Sequence, residues 1–236
     1  MVNFISLPTE DLMAPATSTI GAIHGAGSFT ELIEEFDSLQ HEGHLMLVLE
    51  EGDQMFYTAS HAGEHHFEVA DIDYEDDDAA FEAALAADRR TQLENEPLAW
   101  SDIEGALPLN EEGVAVIEKV NRDLDLLVDP YHCVQRLPEH SPLAWLADQP
   151  NGYFAGDLTP QQVLALCTCI EATTPYRMLG MGGNFVAFRK GPEGVDKPAL
   201  QRDLAHVFGA ELDLPFGEFL ILPYSEAVDQ YLERMQ

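Results

Sequence analysis

The chain of 236 residues contains 43 acidic and 11 basic side chains, which gives a net charge of −32, and 46% of its residues are hydrophobic. This hydrophobic content predicts a globular protein with a real core and excludes a disordered acidic tail. The charge argues against direct binding of nucleic acid or of anionic membranes, and it favours basic proteins or cations as partners.

Three further features favour a soluble, cytoplasmic protein. The opening residues, MVNFISLPTEDLMAP, lack the positive and apolar regions of a secretory signal peptide. Apolar runs such as LMLVL at 45–49 have the length of a strand and are too short to cross a membrane. The three cysteines (Cys133, Cys167 and Cys169) cannot complete a disulfide framework, which suits a reducing compartment.

The negative charge is concentrated in the first half of the chain. Residues 1–125 contain 29 acidic and 4 basic side chains, a net charge of −25, whereas residues 126–236 have a net charge of −7. No lysine or arginine precedes Arg89. Adaptation of a whole protein to salt would charge both halves similarly, so the asymmetry favours a function for the acidic half.

In chain order, the first predicted elements are a helix, two strands, a third strand and a second helix. Ser28 and Glu31 form a capping box ahead of an apolar stripe at helical spacing, Phe29, Leu32, Ile33, Phe36 and Leu39. Residues 44–59 have the pattern of two strands joined by a turn at 51–53, and residues 65–72 that of a third strand. The alanine-rich stretch 78–90 favours a helix.

The second half repeats the order of helix and hairpin. Thr159, Pro160 and Gln162 predict a helix start, and residues 176–190 predict a hairpin with Gly182 and Gly183 at its tip. A helix capped by Asp196, a buried strand at 217–223 and a helix after Ser225 complete the chain. Segments 91–109 and 129–157 have the composition of connections.

These patterns predict an α+β fold in which antiparallel β-hairpins pack against helices. The repeated order suggests two similar helix–hairpin lobes, a strongly acidic one at 1–128 and a less acidic one at 129–236. The alternative is one compact unit.

The densest group of acids is the run DIDYEDDD at 71–78, with no cation among its residues. Its spacing resembles a calcium loop, but position 6 of that loop needs glycine and is Asp76 here. We therefore interpret the run as the densest part of an acidic surface that binds a basic protein. The candidate residues are Asp71, Asp73, Glu75, Asp76, Asp77 and Asp78. A solvated strand-to-helix turn is the alternative.

Histidines cluster in HAGEHH at 61–66. His61, His65 and His66 are candidate metal ligands, because imidazoles four residues apart on a helix would share one face. Glycine and the neighbouring predicted strands favour a turn instead, with histidines exposed to solvent. No cofactor motif is present, and we expect none.

A third candidate site is a pocket for a small anionic ligand in the less negative second half. Tyr153 and Asp157 precede the predicted helix at 160, while Arg177 and Arg189 lie on the predicted hairpin. A two-residue turn would place Tyr176 opposite Arg189. Arg177 needs a partner on such a hairpin, and Asp157 or Glu171 could supply one, so a structural ion pair is the alternative.

Three hypotheses about function follow. The chain is an acidic interaction or regulatory protein that binds a basic protein, as inhibitors, immunity proteins and nucleic-acid mimics do. Alternatively it is an enzyme or ligand binder with a site near Arg177 and Asp157 or a metal at His61 and His65. The third hypothesis is that the charge serves only solvation in a salt-adapted protein.

Overall fold

The computed structural model describes residues 2–6, 18–68, 78–228 and 231. In this part of the chain seven α-helices accompany seven strands, which is an α+β fold as the sequence predicts. The strands are β1 (Asn3–Ile5), β2 (Thr19–His24), β3 (His44–Val48), β4 (Tyr131–Leu137), β5 (Tyr176–Met181), β6 (Phe185–Lys190) and β7 (Phe219–Pro223). The helices are α1 (Phe29–Ser38), α2 (Gly52–His66), α3 (Asp78–Asn95), α4 (Glu111–Arg122), α5 (Pro142–Asp148), α6 (Pro160–Thr173) and α7 (Lys197–Phe208).

All seven strands belong to one sheet in the order β1-β2-β4-β3-β5-β6-β7. Neighbouring strands are antiparallel except for β3 and β5, which run parallel. The sheet crosses the predicted boundary at residue 128, because β4 from the second half lies between β2 and β3 from the first.

Helices with strong local signals form where the sequence predicts them. The Ser28 hydroxyl accepts the backbone N–H of Glu31 at the start of α1, and all five residues of the predicted apolar stripe are buried. The Glu31 carboxylate accepts the N–H of Gly27 rather than that of Ser28. The predicted capping box of α6 is complete, and Asp196 caps α7.

The second predicted strand of the first half is wrong, because residues 52–66 form helix α2. Its buried side chains include Met55, Phe56, Ala59 and Ala62, which recur at helical rather than strand spacing. The predicted third strand at 65–72 is also wrong where it is described, since 65 and 66 end α2 and the stretch from 69 lies outside the described residues. Within the described residues, α1 is therefore followed by one strand and a second helix rather than by a hairpin.

The predicted connection at 129–157 is wrong as well, because it contains β4 and α5. Helix α5 begins at a serine cap, where the Ser141 hydroxyl accepts the N–H of Ala144. It packs between α3 and α6, and α6 in turn packs on β5. Within the described residues, no helix combines the length and the apolar character that a membrane span requires.

The hairpin of β5 and β6 is confirmed, but its register differs from the prediction. Tyr176 pairs with Lys190, and Arg177 pairs with Arg189. The turn spans residues 182–185, closed by a hydrogen bond from Gly182 N to Phe185 O, so its two central residues are Gly183 and Asn184, one position later than predicted. A bulge between Met178 and Gly180 offsets part of this shift.

Candidate functional site

A cavity of about 1110 Å³ opens at one end of the sheet, beyond the carboxyl ends of the parallel strands β3 and β5. Parallel neighbours bring the segments that follow them to the same edge, which is a common position for binding sites. Here those segments are 49–54 after β3 and 182–184 after β5. The lining residues are Glu51, Gly52, Asp53, Gln54, Thr58, Asp129, Pro130, Tyr131, Asn151, Phe154, Asp157, Gly183, Asn184, Ser225, Glu226, Ala227 and Tyr231. We call this space the acidic cavity.

Five carboxylates line the acidic cavity: Glu51, Asp53, Asp129, Asp157 and Glu226. No lysine, arginine or histidine is among the described residues that line it. The carboxylates come from four separate regions of the chain, so the fold assembles this charge. A site of this composition attracts cations and repels anions.

Hydrogen bonds from within the protein orient several of these carboxylates. Asp53 Oδ1 accepts the hydroxyl of Tyr131 at 2.8 Å. Burial and this bond raise the pKa of Tyr131 to about 12, so it stays a neutral donor at neutral pH. Asp157 accepts the backbone N–H groups of Phe154 at 3.1 Å and Glu226 at 2.9 Å.

Glu51 connects the two segments beyond the parallel strands. Its backbone has φ 52° and ψ 43°, a left-handed conformation that is uncommon for a residue other than glycine. Two bonds hold it there. The Glu51 N–H donates to Asp129 Oδ2 at 2.7 Å, and the Asn184 amide donates to Glu51 Oε2 at 2.9 Å. Strained residues with such support cluster at binding sites.

A second glutamate, Glu50, lies fully buried behind the wall of the cavity. Its Oε1 accepts the backbone N–H of Asn184 at 2.8 Å, whereas its Oε2 has no hydrogen-bond partner. Gly182 packs against this carboxyl group so closely that any side chain there would collide with it. Burial, above all, raises the pKa of Glu50 to about 8, so the group is predominantly protonated at neutral pH.

His132 supports the floor of the site from β4. Its Nδ1 lies 3.1 Å from both Val48 O and Leu49 O, and its Nε2 accepts the backbone N–H of Asp129 at 3.0 Å. Carbonyl oxygens only accept, so the proton is on Nδ1 and the ring is neutral. Burial lowers the pKa of His132, which favours that state. The ring thus positions both Asp129 and the end of β3.

The histidines predicted as metal ligands lie on helix α2 rather than in a turn. His61 and His65 contact the ring of Tyr153, with centroids 5.2 and 6.0 Å apart. His66 Nε2 donates to Gly152 O at 2.8 Å. Within the described residues, no group of three or more histidine, cysteine or acidic side chains is placed to hold a metal ion. A metal at these histidines stays an untested prediction.

The residues of the predicted anion pocket are not brought together. Tyr153 and Asp157 lie beside the acidic cavity at the start of α6. Arg177 donates instead to the backbone oxygens of Glu171, Thr174 and Tyr176, near the end of α6. This helix of 14 residues separates them by about 20 Å.

Arg189 forms structural ion pairs, whereas the predicted alternative placed such a pair at Arg177. The guanidinium group of Arg189 lies 2.8 Å from Asp37 of α1 and 3.1 Å from Glu218. It also lies over the ring of Phe219.

Of the acidic run predicted to bind a basic protein, residues 71–77 lie outside the described residues, and Asp78 is the first residue of α3.

Sequence reasoning missed Glu51, Asp53 and Asp129 as site residues. One signal was present: the acids of Leu49-Glu50-Glu51-Gly52-Asp53 follow directly after an apolar strand, where the edge of a sheet is expected. Asp129 fell in a segment predicted to be a connection. Its place in the site depends on β4 pairing with β3, which the sequence pattern did not indicate.

Comparison of this chain with models of protein families, with curated proteins and with solved structures gives no match. Its function is therefore inferred from the residues and geometry of the site.

Proposed function

We propose that this protein is a cytoplasmic interaction protein that binds a basic protein partner, and that the acidic cavity receives a cationic side chain of that partner. The observation that carries the proposal is the set of five carboxylates around a cavity with no cationic side chain among its described lining residues. A cation that enters would be attracted by these carboxylates together.

The chemistry of the cavity favours an organic cation over other ligands. A phosphate or carboxylate ligand would be repelled by the lining, and a nucleic acid by the charge of the whole chain. The carboxylates also include no described trio placed for a metal ion. A lysine or arginine side chain matches the charge and can donate several hydrogen bonds to carboxylates.

The acidic run at 71–78 has a separate role in this proposal. Clustered charge speeds the diffusional encounter of oppositely charged proteins, whereas contacts in a cavity slow their separation. Neutralising the run with asparagine and glutamine should therefore lower the association rate. Neutralising the cavity should mainly raise the dissociation rate. Stopped-flow binding of a basic protein ligand separates the two effects.

The experiment that tests the cavity is a fluorescence anisotropy titration with a labelled basic peptide of alternating arginine and serine. The double variant Asp53→Asn/Asp129→Asn removes two charges and keeps the acceptor oxygens that hold Tyr131 and Glu51. It should weaken binding at least about tenfold. The matched control, Glu34→Gln/Glu112→Gln, removes two exposed charges outside the cavity and should change affinity less than about threefold.

An equal loss in both double variants would contradict the proposal, because the peptide would then respond to net charge alone. Salt provides the second readout: the affinity of the wild-type protein should fall as ionic strength rises. Affinity that is independent of salt would also contradict a charge-based site.

A further inference from the structure

An exposed patch of aromatic rings lies next to the acidic cavity. It consists of Tyr57, His61 and His65 from α2 together with Tyr153 and Phe154 from the loop before α6, and we call it the aromatic patch. Successive rings are in contact, with centroids 4.6 Å apart for Tyr57 and His61, 5.2 Å for His61 and Tyr153, and 5.2 Å for Tyr153 and Phe154. Tyr57 is 48% exposed and Phe154 44% exposed.

Such exposure needs an explanation, since large apolar side chains are usually covered. In the described part of the chain the only other large hydrophobic residue that is exposed to this degree is Ile5, on the edge strand β1. A contiguous group of exposed rings marks an interaction surface more often than scattered single residues do.

The patch is built on a rigid base. Asn151 Nδ2 donates to Met55 O at 3.2 Å, and Asn151 Oδ1 accepts the hydroxyl of Thr58 at 2.9 Å. These buried bonds tie the loop to the middle of α2, and the bond from His66 to Gly152 O ties it to the end of that helix. The rings are therefore held in position before a partner binds, which lowers the entropy cost of binding.

The aromatic patch is continuous with the acidic cavity. Phe154 belongs to both, since its ring contacts Tyr153 and the residue lines the cavity. Gln54 and Thr58, which also line the cavity, flank Tyr57 on α2. One ligand can therefore contact aromatic faces and carboxylates together.

We infer that the aromatic patch and the acidic cavity together recognise an arginine-rich segment of the basic partner, in preference to a lysine-rich one. A guanidinium group is planar and weakly hydrated, so it stacks on aromatic rings while it donates to carboxylates. A lysine ammonium is compact and strongly hydrated, and it gains less from the rings. The charge complementarity of the cavity selects a basic segment, and the rings select arginine within that class. This inference rests on the proposed function.

The test compares two labelled peptides of equal length and charge, one of alternating arginine and serine and one of alternating lysine and serine. Fluorescence anisotropy should show that the wild-type protein binds the arginine peptide at least about threefold more tightly. Tyr57→Ala and Phe154→Ala should each weaken binding of the arginine peptide about two- to fivefold and leave binding of the lysine peptide nearly unchanged. Ile5→Ala, at a similarly exposed residue outside the patch, is the matched control and should affect neither.

Tyr57→Leu keeps apolar area but removes the ring, so it should also lower the preference for arginine. Full preference in the Leu variant would overturn the inference, because simple apolar contact would then explain the binding. Equal affinity of the wild-type protein for both peptides would overturn it too, while the proposed function would stand. If neither peptide binds, the proposed function itself fails.

Discussion

Replacing Glu50 by glutamine is expected to stabilise the protein, by an amount that grows as pH rises. Burial raises the pKa of this carboxyl group from 4.5 to about 8 in the folded state. Between these values the folded protein binds more protons than the unfolded chain, so the stability of the wild type falls by about 1.4 kcal/mol for each unit of pH. This loss of stability is absent below the ordinary glutamate pKa of 4.5 and reaches its full size above the folded-state pKa of about 8. From about pH 5 to about pH 8 it amounts to about 4 kcal/mol.

The glutamine variant cannot ionise, and its side-chain oxygen can still accept the N–H of Asn184. The free energy of unfolding, measured by urea denaturation at a series of pH values, should therefore diverge between the two proteins as pH rises. Glu34→Gln, at an exposed position, is the control and should follow the wild type. Parallel curves for wild type and Glu50→Gln would contradict this expectation, because they would show that Glu50 has the same proton affinity in the folded and unfolded states.

Two further predictions concern the support of the cavity. His132→Gln should destabilise the protein by about 1–3 kcal/mol, because buried groups such as the N–H of Asp129 lose a well-placed partner. Burial lowers the pKa of His132, so the wild type should also lose stability as pH falls below the ordinary histidine value of 6.5, and urea denaturation should show this loss weakened in the variant. Gly182→Ala should cost more than about 2 kcal/mol, since its methyl group would collide with Glu50, whereas Gly194→Ala, in open space, should change the melting temperature little.

Local signals in the sequence were sufficient to predict the helices that begin at a clear cap. At Ser28, Thr159 and Asp196, a side-chain acceptor, a following polar residue and an apolar stripe all indicate the same start. The hairpin at 176–190 was equally clear because glycines separate two apolar runs.

Helix α2 was predicted as a strand because aromatic and β-branched residues favour strands. Its first turns contain Met55, Phe56, Tyr57 and Thr58, and this composition outweighed the weaker helical spacing of the buried positions. Tertiary packing decides the outcome, since the helix buries one side against the loop that begins at Asn151.

Strand β4 escaped prediction because it lies in the interior of the sheet but contains polar residues. His132 and Gln135 are buried there, and both ring nitrogens of His132 form hydrogen bonds with neighbouring segments. In a sequence, a buried polar side chain looks like a surface residue when its hydrogen-bond partners are 80 or more residues away, as those of His132 at the end of β3 are. Without β4 the position of Asp129 could not be predicted, nor could the acidic cavity.

The location at which an arginine side chain binds would decide whether the acidic cavity is the binding site. Two-dimensional amide NMR spectra recorded with and without the arginine peptide would locate the contact. We predict that the amide signals of Glu51, Gly183 and Asn184 shift on binding, and that those of helix α7, outside the cavity lining, do not. Shifts spread over exposed acidic residues, with none at these three, would show that the peptide binds the charged surface in general and would contradict a specific site in the cavity.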